Sequence, residues 1–125
     1  MTTPRTDRPR QPGEILLVDL APVLGTEQDG RRPALVISND AMHLLAPRVI
    51  ICPITRSRNP WPTKVLLPDG LPVEGAVLVD QVRSIDRNER VLRSIGFVPN
   101  AVLAEVRGRL ATLIGITWND TEKTP

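Results

Sequence analysis

Residues 13–38 read GEILLVDLAPVLGTEQDGRRPALVIS, and this stretch decides how the chain is read. Residues 14–20 are a continuous apolar run bounded by Gly13 and Pro22, too short for a helix, which predicts a buried strand. Residues 34–38 repeat that pattern. Between the two runs a polar, glycine-rich loop collects Glu27, Gln28, Arg31 and Arg32 and enters the second strand through Arg32-Pro33. A charged loop held between two rigid strands is the usual way a binding or catalytic loop is presented.

Further along, Asn39-Asp40 can cap a short helical turn through about Leu45, and Pro47 ends it. Residues 48–55 form a β-branched strand. Pro53 cannot donate a ladder hydrogen bond, so it marks an edge or bulge near the strand's end and lets Thr55 project where pairing stops. Residues 56–63, RSRNPWPT, are a proline-interrupted polar loop, followed by a short strand at 64–67, turn chemistry at 68–72, a strand at 77–83 and a last strand at about 93–98. Five or six short strands with tight connections predict a mainly β fold, a small barrel. The chain closes with a helix capped by Asn100, whose apolar residues Val102, Leu103, Val106, Leu110, Leu113 and Ile114 recur at helical spacing up to Gly115. Gly108 lies inside it and costs about 1 kcal/mol relative to alanine unless a close contact requires it.

At 125 residues, 41% of them hydrophobic, the chain suits one domain with a single core. Its single cysteine, Cys52, excludes an intrachain disulfide framework and a multi-cysteine zinc site, and reads as a small buried hydrophobe. Residues 1–12 carry no apolar segment and no run approaches the ~18 apolar residues of a membrane span, so a cytoplasmic protein is expected, with no membrane partner. The formal charge of +2 resides in those twelve residues, where Arg5, Arg8 and Arg10 face only Asp7. They are read as a disordered basic tail, with residues 13–118 as the folded domain and 119–125 as a polar tail. Global charge therefore says nothing about nucleic acid. A local cluster must do so, and Arg31, Arg32, Arg48, Arg56, Arg58 and Lys64 are the cations in or beside loops.

The ordered blocks Gly13 to Ser38, Val49-Ile50-Ile51-Cys52-Pro53-Ile54-Thr55, Gly75 to Ile85 and the glycine-closed helix resemble the MazF/PemK family of toxin endoribonucleases over residues 13–115. The resemblance implies an SH3-like barrel of the CcdB/MazF toxin type and a homodimer. It also implies a metal-independent, sequence-selective cut in single-stranded RNA, leaving 2′,3′-cyclic phosphate and 5′-hydroxyl ends, and a MazE-like antitoxin that covers the RNA groove. No cofactor is expected.

Cleavage of this kind uses the ribose 2′-hydroxyl as nucleophile and needs a base, an acid for the departing 5′-oxygen and positive charge against the phosphorane. His43 is the only histidine, so one subunit cannot supply a histidine pair, and the AMHLL segment reads as structural. Arg32 sits directly before Pro33, which fixes its backbone direction, and it matches the arginine of the family's R-P motif. A guanidinium is a poor base, so its expected role is to stabilise the phosphorane. Thr55 matches the threonine ending the family's P-I-T strand, and Glu27 the glutamate of its G-S-E-Q-x-G loop, with Thr26 here in place of the serine. Glu27 is the expected base. Gln28, Asn39, Arg56 and Gln81 are the expected readers of unstacked bases. Trp61 either stacks a base or plugs the barrel end, while Phe97 and Trp118 read as structural. The alternative is a non-enzymatic gyrase poison of the CcdB kind. Those toxins depend on a C-terminal Trp-Gly-Ile, whereas this chain continues Thr117-Trp118-Asn119-Asp120.

Overall fold

The computed structural model describes residues 9–21 and 30–117. In chain order the elements are β1 (Glu14–Asp19), β2 (Arg31–Val36), α1 (Asp40–Leu45), β3 (Arg48–Thr55), β4 (Lys64–Leu66), β5 (Ala76–Leu78), a 3-10 turn (Val79–Gln81), β6 (Arg83–Asp86), α2 (Arg87–Arg90), β7 (Val91–Phe97) and α3 (Asn100–Leu113). The strands form one sheet in the order β4-β5-β3-β2-β1-β7, with β6 also paired to β3. Every pairing is antiparallel.

The eight-residue β3 organises this sheet. One of its edges takes β2, and the other is shared: β6 pairs with Arg48 to Ile51, and β5 with Ile54 and Thr55. Cys52 and Pro53 fall at the changeover. A proline has no amide proton to offer, so it is tolerated where the neighbouring strand changes. The same step explains why the single strand read at residues 77–83 divides into β5, a turn and β6. The α2 turn was not anticipated, although its signal is present: Asp86 accepts hydrogen bonds from the Asn88 and Glu89 amides at 2.8 and 3.2 Å, as an acidic cap should.

Strand alternation splits the apolar residues into two clusters, one on each face of the sheet. Ile15, Leu35, Ile37, Cys52 and Ile54 join Val102, Leu103 and Val106 of α3. Leu16, Val18, Ala34, Val36, Val49 and Ile51 pack with Ile85 and Val91. Each fully buried aliphatic side chain contributes about 1.5–3 kcal/mol.

The expected barrel is not closed by a hydrogen-bond ladder, since β4 and β7 end the path. Residues 67–75 cross that gap. Leu71 and Val73 pack on the first cluster, and Pro72 lies over Gly96 of β7, where a Cβ would meet the proline ring at 3.0 Å.

On α3 only the first three of the six apolar positions are buried. Leu110 is half-buried, while Leu113 and Ile114 are 44% and 63% exposed. Asn100 is the first helical residue, not the cap; Pro99 holds that position and no side chain caps the end. The C-terminus follows the expectation. Gly115 has φ of +89°, its amide bonds the Thr112 carbonyl at 3.1 Å and the Ile116 amide bonds the Ala111 carbonyl at 2.7 Å. No heavy atom lies within 4 Å of a Cβ built on Gly108, so no close contact requires glycine there.

The packed body begins before Gly13. Arg10, expected in the solvated tail, is 2% exposed and pairs with the buried Glu14 at 3.7 Å. His43 is fully buried: its Nε2 lies 2.5 Å from the Ser38 hydroxyl, and its Nδ1 bonds the Arg10 carbonyl. It is structural, as read. Phe97 is about half exposed and does not sit in the core, and Trp118 lies outside the described residues. Among the described residues no helix is long and apolar enough to cross a membrane.

Candidate active site

Four chain segments gather at one end of the sheet: the start of β2, the end of β3, the connection at residues 67–75 and the start of β7. Arg32 is partly buried in β2 and is fixed by pairing with Val18 of β1. The β2–β3 ladder matches Val36 with Ile51, Leu35 with Cys52 and Ala34 with Pro53. Continued two residues past the last pair, that register brings Arg32 level with Thr55. Both residues then lie on the face that carries Ala34 and Ile51. Two residues 23 positions apart in the chain are thus carried on the same face at neighbouring strand ends, two steps past the last paired residues.

The surroundings hold Thr55 closely. Its Oγ1 accepts the Ser57 amide at 3.3 Å, leaving the hydroxyl proton for another acceptor. Gly75 presses against its backbone. A Cβ at position 75 would come within 1.7 Å of the Thr55 carbonyl oxygen, and Gly75 has φ of +125°, so only glycine fits. On the other side, Arg90 at the end of α2 donates to the carbonyls of Asp19, at 3.5 Å, and of Ala21, and Leu20 bonds Gly30 at 2.9 Å. These bonds fix the root of the loop that carries Glu27 and Gln28. Both of those residues, with Thr26, lie outside the described residues.

The other expected base readers are spread along the sheet. Arg56 is exposed immediately after Thr55. Gln81 is exposed in the 3-10 turn between β5 and β6, the two strands that share one edge of β3. Asn39 is not brought to this end. It follows the far end of β2, roughly 20 Å from Arg32, and its side-chain oxygen accepts from Arg107 at 2.9 Å. Arg48 is at that far end too, bonded to the Ser84 hydroxyl and carbonyl at 3.0 Å each.

Loop 56–63 is held by cations on its own backbone. Arg58 donates to the Leu67 carbonyl at 3.0 Å, Lys64 to Asn59 at 3.2 Å, and Arg109 of α3 to Pro62 at 2.6 Å. Trp61 at its tip is 65% exposed, so it does not plug the barrel. Arg109 was not anticipated from the sequence, where it reads only as the polar side of a helix. Arg93 and Glu74 were also missed: they line, with Arg56, a groove of about 620 Å3 beneath residues 71–74.

Cys52 is fully buried, and burial first, with the nearby Asp80 carboxylate second, pushes its thiol up to about 12. It stays protonated at neutral pH and acts as the small hydrophobe expected. Among the described residues no three His, Cys, Asp or Glu side chains gather as a metal-ligand set.

Comparison with known proteins bears on what this end of the sheet belongs to. Residues 11–114 match the family described as PemK-like, MazF-like toxin of type II toxin-antitoxin system. The chain is 40% identical over 103 residues to endoribonuclease MazF9 of Mycobacterium tuberculosis, covering 75% of this chain and 86% of that protein. It is 30% identical over 121 residues to endoribonuclease MazF of Staphylococcus epidermidis, covering 90% and 97%. The crystal structure of MazF from Deinococcus radiodurans superposes with a TM-score of 0.77 at 40% identity, over 88% of this chain and all of that one. A MazE-MazF structure from the same organism superposes with a TM-score of 0.75 at 35% identity, over 89% of this chain and all of that one. The family match covers almost all of the described residues, Arg32 and Thr55 included, and the chain belongs to the PemK-like, MazF-like toxins of type II toxin-antitoxin systems.

Proposed function

We propose that this toxin cuts single-stranded RNA at selected sequences without a metal ion, leaving 2′,3′-cyclic phosphate and 5′-hydroxyl ends. The observation that carries this reading is the register that sets Arg32 opposite Thr55 on two core strands. In the proposed mechanism the scissile phosphate sits between them. The Thr55 hydroxyl donates to one nonbridging oxygen, and the Arg32 guanidinium faces the charge that grows as the 2′-oxygen attacks phosphorus. A guanidinium is a poor base, so the 2′-hydroxyl proton goes to a carboxylate, with Glu27 as the candidate base on the loop that joins β1 to β2. The bond from phosphorus to the 5′-oxygen breaks, that oxygen takes a proton from water and leaves as an alcohol, and the Arg32 guanidinium stabilises the charge on it as it departs. Arg56, Gln81 and Gln28 are the proposed contacts to bases.

A MazE-like antitoxin is the proposed partner, in keeping with the MazE-MazF structures of Deinococcus radiodurans. A homodimer is proposed as well. The exposed apolar end of α3, with Leu113, Ile114 and Ile116, supports an apolar contact with another chain.

The test is incubation of the purified, antitoxin-free protein with a long single-stranded RNA in excess EDTA, beside an Arg32→Ala control. Discrete cuts with cyclic phosphate ends that the control does not make are expected. Full cleavage by the Arg32→Ala protein would sink the mechanism, and cleavage restored only by added metal would sink metal independence.

A further inference from the structure

We propose that the groove beneath residues 71–74 is a nucleobase pocket that receives one unstacked base flanking the cut; this rests on the reading of the protein as a single-strand RNA nuclease. Pro33 and Ile54 form part of the groove, Pro72 belongs to the segment above it, and Arg56, Arg93 and Glu74 supply its charged groups. Its volume, about 620 Å3, is within the range of roughly 300–1,000 Å3 typical of small-molecule sites.

The register explains why these groups meet. Arg93 pairs with Leu17, and Leu17 pairs with Pro33. Pro33 in turn comes level with Ile54, one step beyond the Ala34–Pro53 pair. These positions form one row across four strands, and Arg56 follows two residues beyond Ile54 on the same face. Pro33 and Ile54 are also the chain neighbours of Arg32 and Thr55, turned to the opposite face of the same strand ends. A nucleotide next to the scissile phosphate can reach the groove by turning its base around the end of the sheet.

The chemistry of the lining suits a base better than a peptide. A nucleobase is flat and apolar on its faces and carries donors and acceptors on its edges, matching apolar walls with charged groups at the margin. The two guanidiniums donate only, to base carbonyls, ring nitrogens or phosphate. The Glu74 carboxylate accepts only, from a base N–H. An acidic peptide would use the arginines but be repelled by Glu74, and an apolar side chain would use none of the three.

The experiment maps cut sites in a randomised single-stranded RNA library for the wild type, Glu74→Ala, Arg93→Ala and, as control, Asp69→Ala, which is exposed on the same connection outside the groove. KM and kcat are measured on the preferred site, and affinity on a 2′-O-methylated RNA that cannot be cut. Glu74→Ala is expected to relax the base preference at one flanking position by about 10- to 100-fold. Arg93→Ala is expected to raise KM and weaken the uncut RNA about tenfold with kcat unchanged. Asp69→Ala should match the wild type. An unchanged motif and unchanged KM in both groove variants would overturn the pocket. So would an intact motif with weakened binding of an acidic peptide or loss of the dimer. If the wild type bound the methylated RNA through Arg93 but cut no RNA, the pocket would stand and the nuclease reading would fall.

Discussion

At the end of β2 that leads into α1, polar side chains are used up inside the protein. Ser38 and His43 bond each other, Arg107 bonds the carbonyl of Ile37 and the side chain of Asn39, and Arg10 is buried against Glu14. At the end where β2 begins, Arg56 and Arg93 are exposed and border a groove, and Thr55 keeps a hydroxyl proton available. Both ends are rich in arginine, so residue type alone does not separate them. What separates them is what lies on top. The first end is covered by α1, α3 and the N-terminal arm, whose carbonyls and carboxylates consume the donors. The second is bounded by connections that meet the sheet through Gly75 and Pro72 and leave a concavity between them.

Substitutions at the two ends should therefore fail in different ways. Glu14→Ala removes the carboxylate that pairs with the buried Arg10 guanidinium and should cost about 3–5 kcal/mol of stability. Thermal or urea unfolding measures it, and the remaining folded protein should cleave RNA at the wild-type rate. Arg32→Ala should do the converse: cleavage down about 10²–10³-fold, with the melting temperature little changed. If both substitutions lowered stability and activity together, the two ends would be one cooperative unit and the contrast would be lost. Gly75→Ala sharpens the contrast, because the added methyl must displace Thr55. It should cost about 1–3 kcal/mol in stability and lower kcat, whereas Asp69→Ala, exposed on the same connection, should do neither.

Midway between the ends, Cys52 supplies a test by pH. Its thiol is raised from an ordinary 9.0 to about 12 by burial, so the unfolded chain ionises first. The stability gained by keeping it protonated is complete below pH 9 and is lost as pH rises from 9 toward 12. The slope is at most about 1.4 kcal/mol per pH unit. No tyrosine obscures that range. Urea melts from pH 8 to 10.5 should show the decline, and Cys52→Ala should flatten it. The smallest effect is expected for Asn39→Ala, which removes one bond to Arg107 and should cost about 1 kcal/mol. The cleavage motif should be unchanged, and a changed motif would return Asn39 to the RNA-facing set.

Much of the fold was legible where local patterns act alone. The strand at residues 14–20, the α1 turn with Pro47 after it, β3 and the Gly115 stop of α3 follow from runs of apolar residues and turn chemistry within a few positions. In the last turn of α3 helical periodicity alone does not report burial: Leu113 and Ile114 keep the apolar spacing and are exposed. The strand read at 77–83 broke because β3 needs two partners on one edge, a demand that arises 25 residues away in the chain. Asn39 looked like a base reader because strand-end position is visible in sequence, but which end of the sheet it occupies is not.

The sequence by itself determined the apolar strands, the charged loop, the solitary cysteine and histidine, and the Arg32-Pro33 and Pro53-Ile54-Thr55 motifs. These rest on residue type and near-neighbour spacing, which the chain carries openly. Only the tertiary structure decided that Arg32 comes level with Thr55, that Arg93 and Glu74 share a groove with Arg56, and that Arg10 and His43 are interior. Those facts depend on strand register and on which segments cover which end. Register is set by burying one face of every strand at once, so no local stretch of sequence contains it.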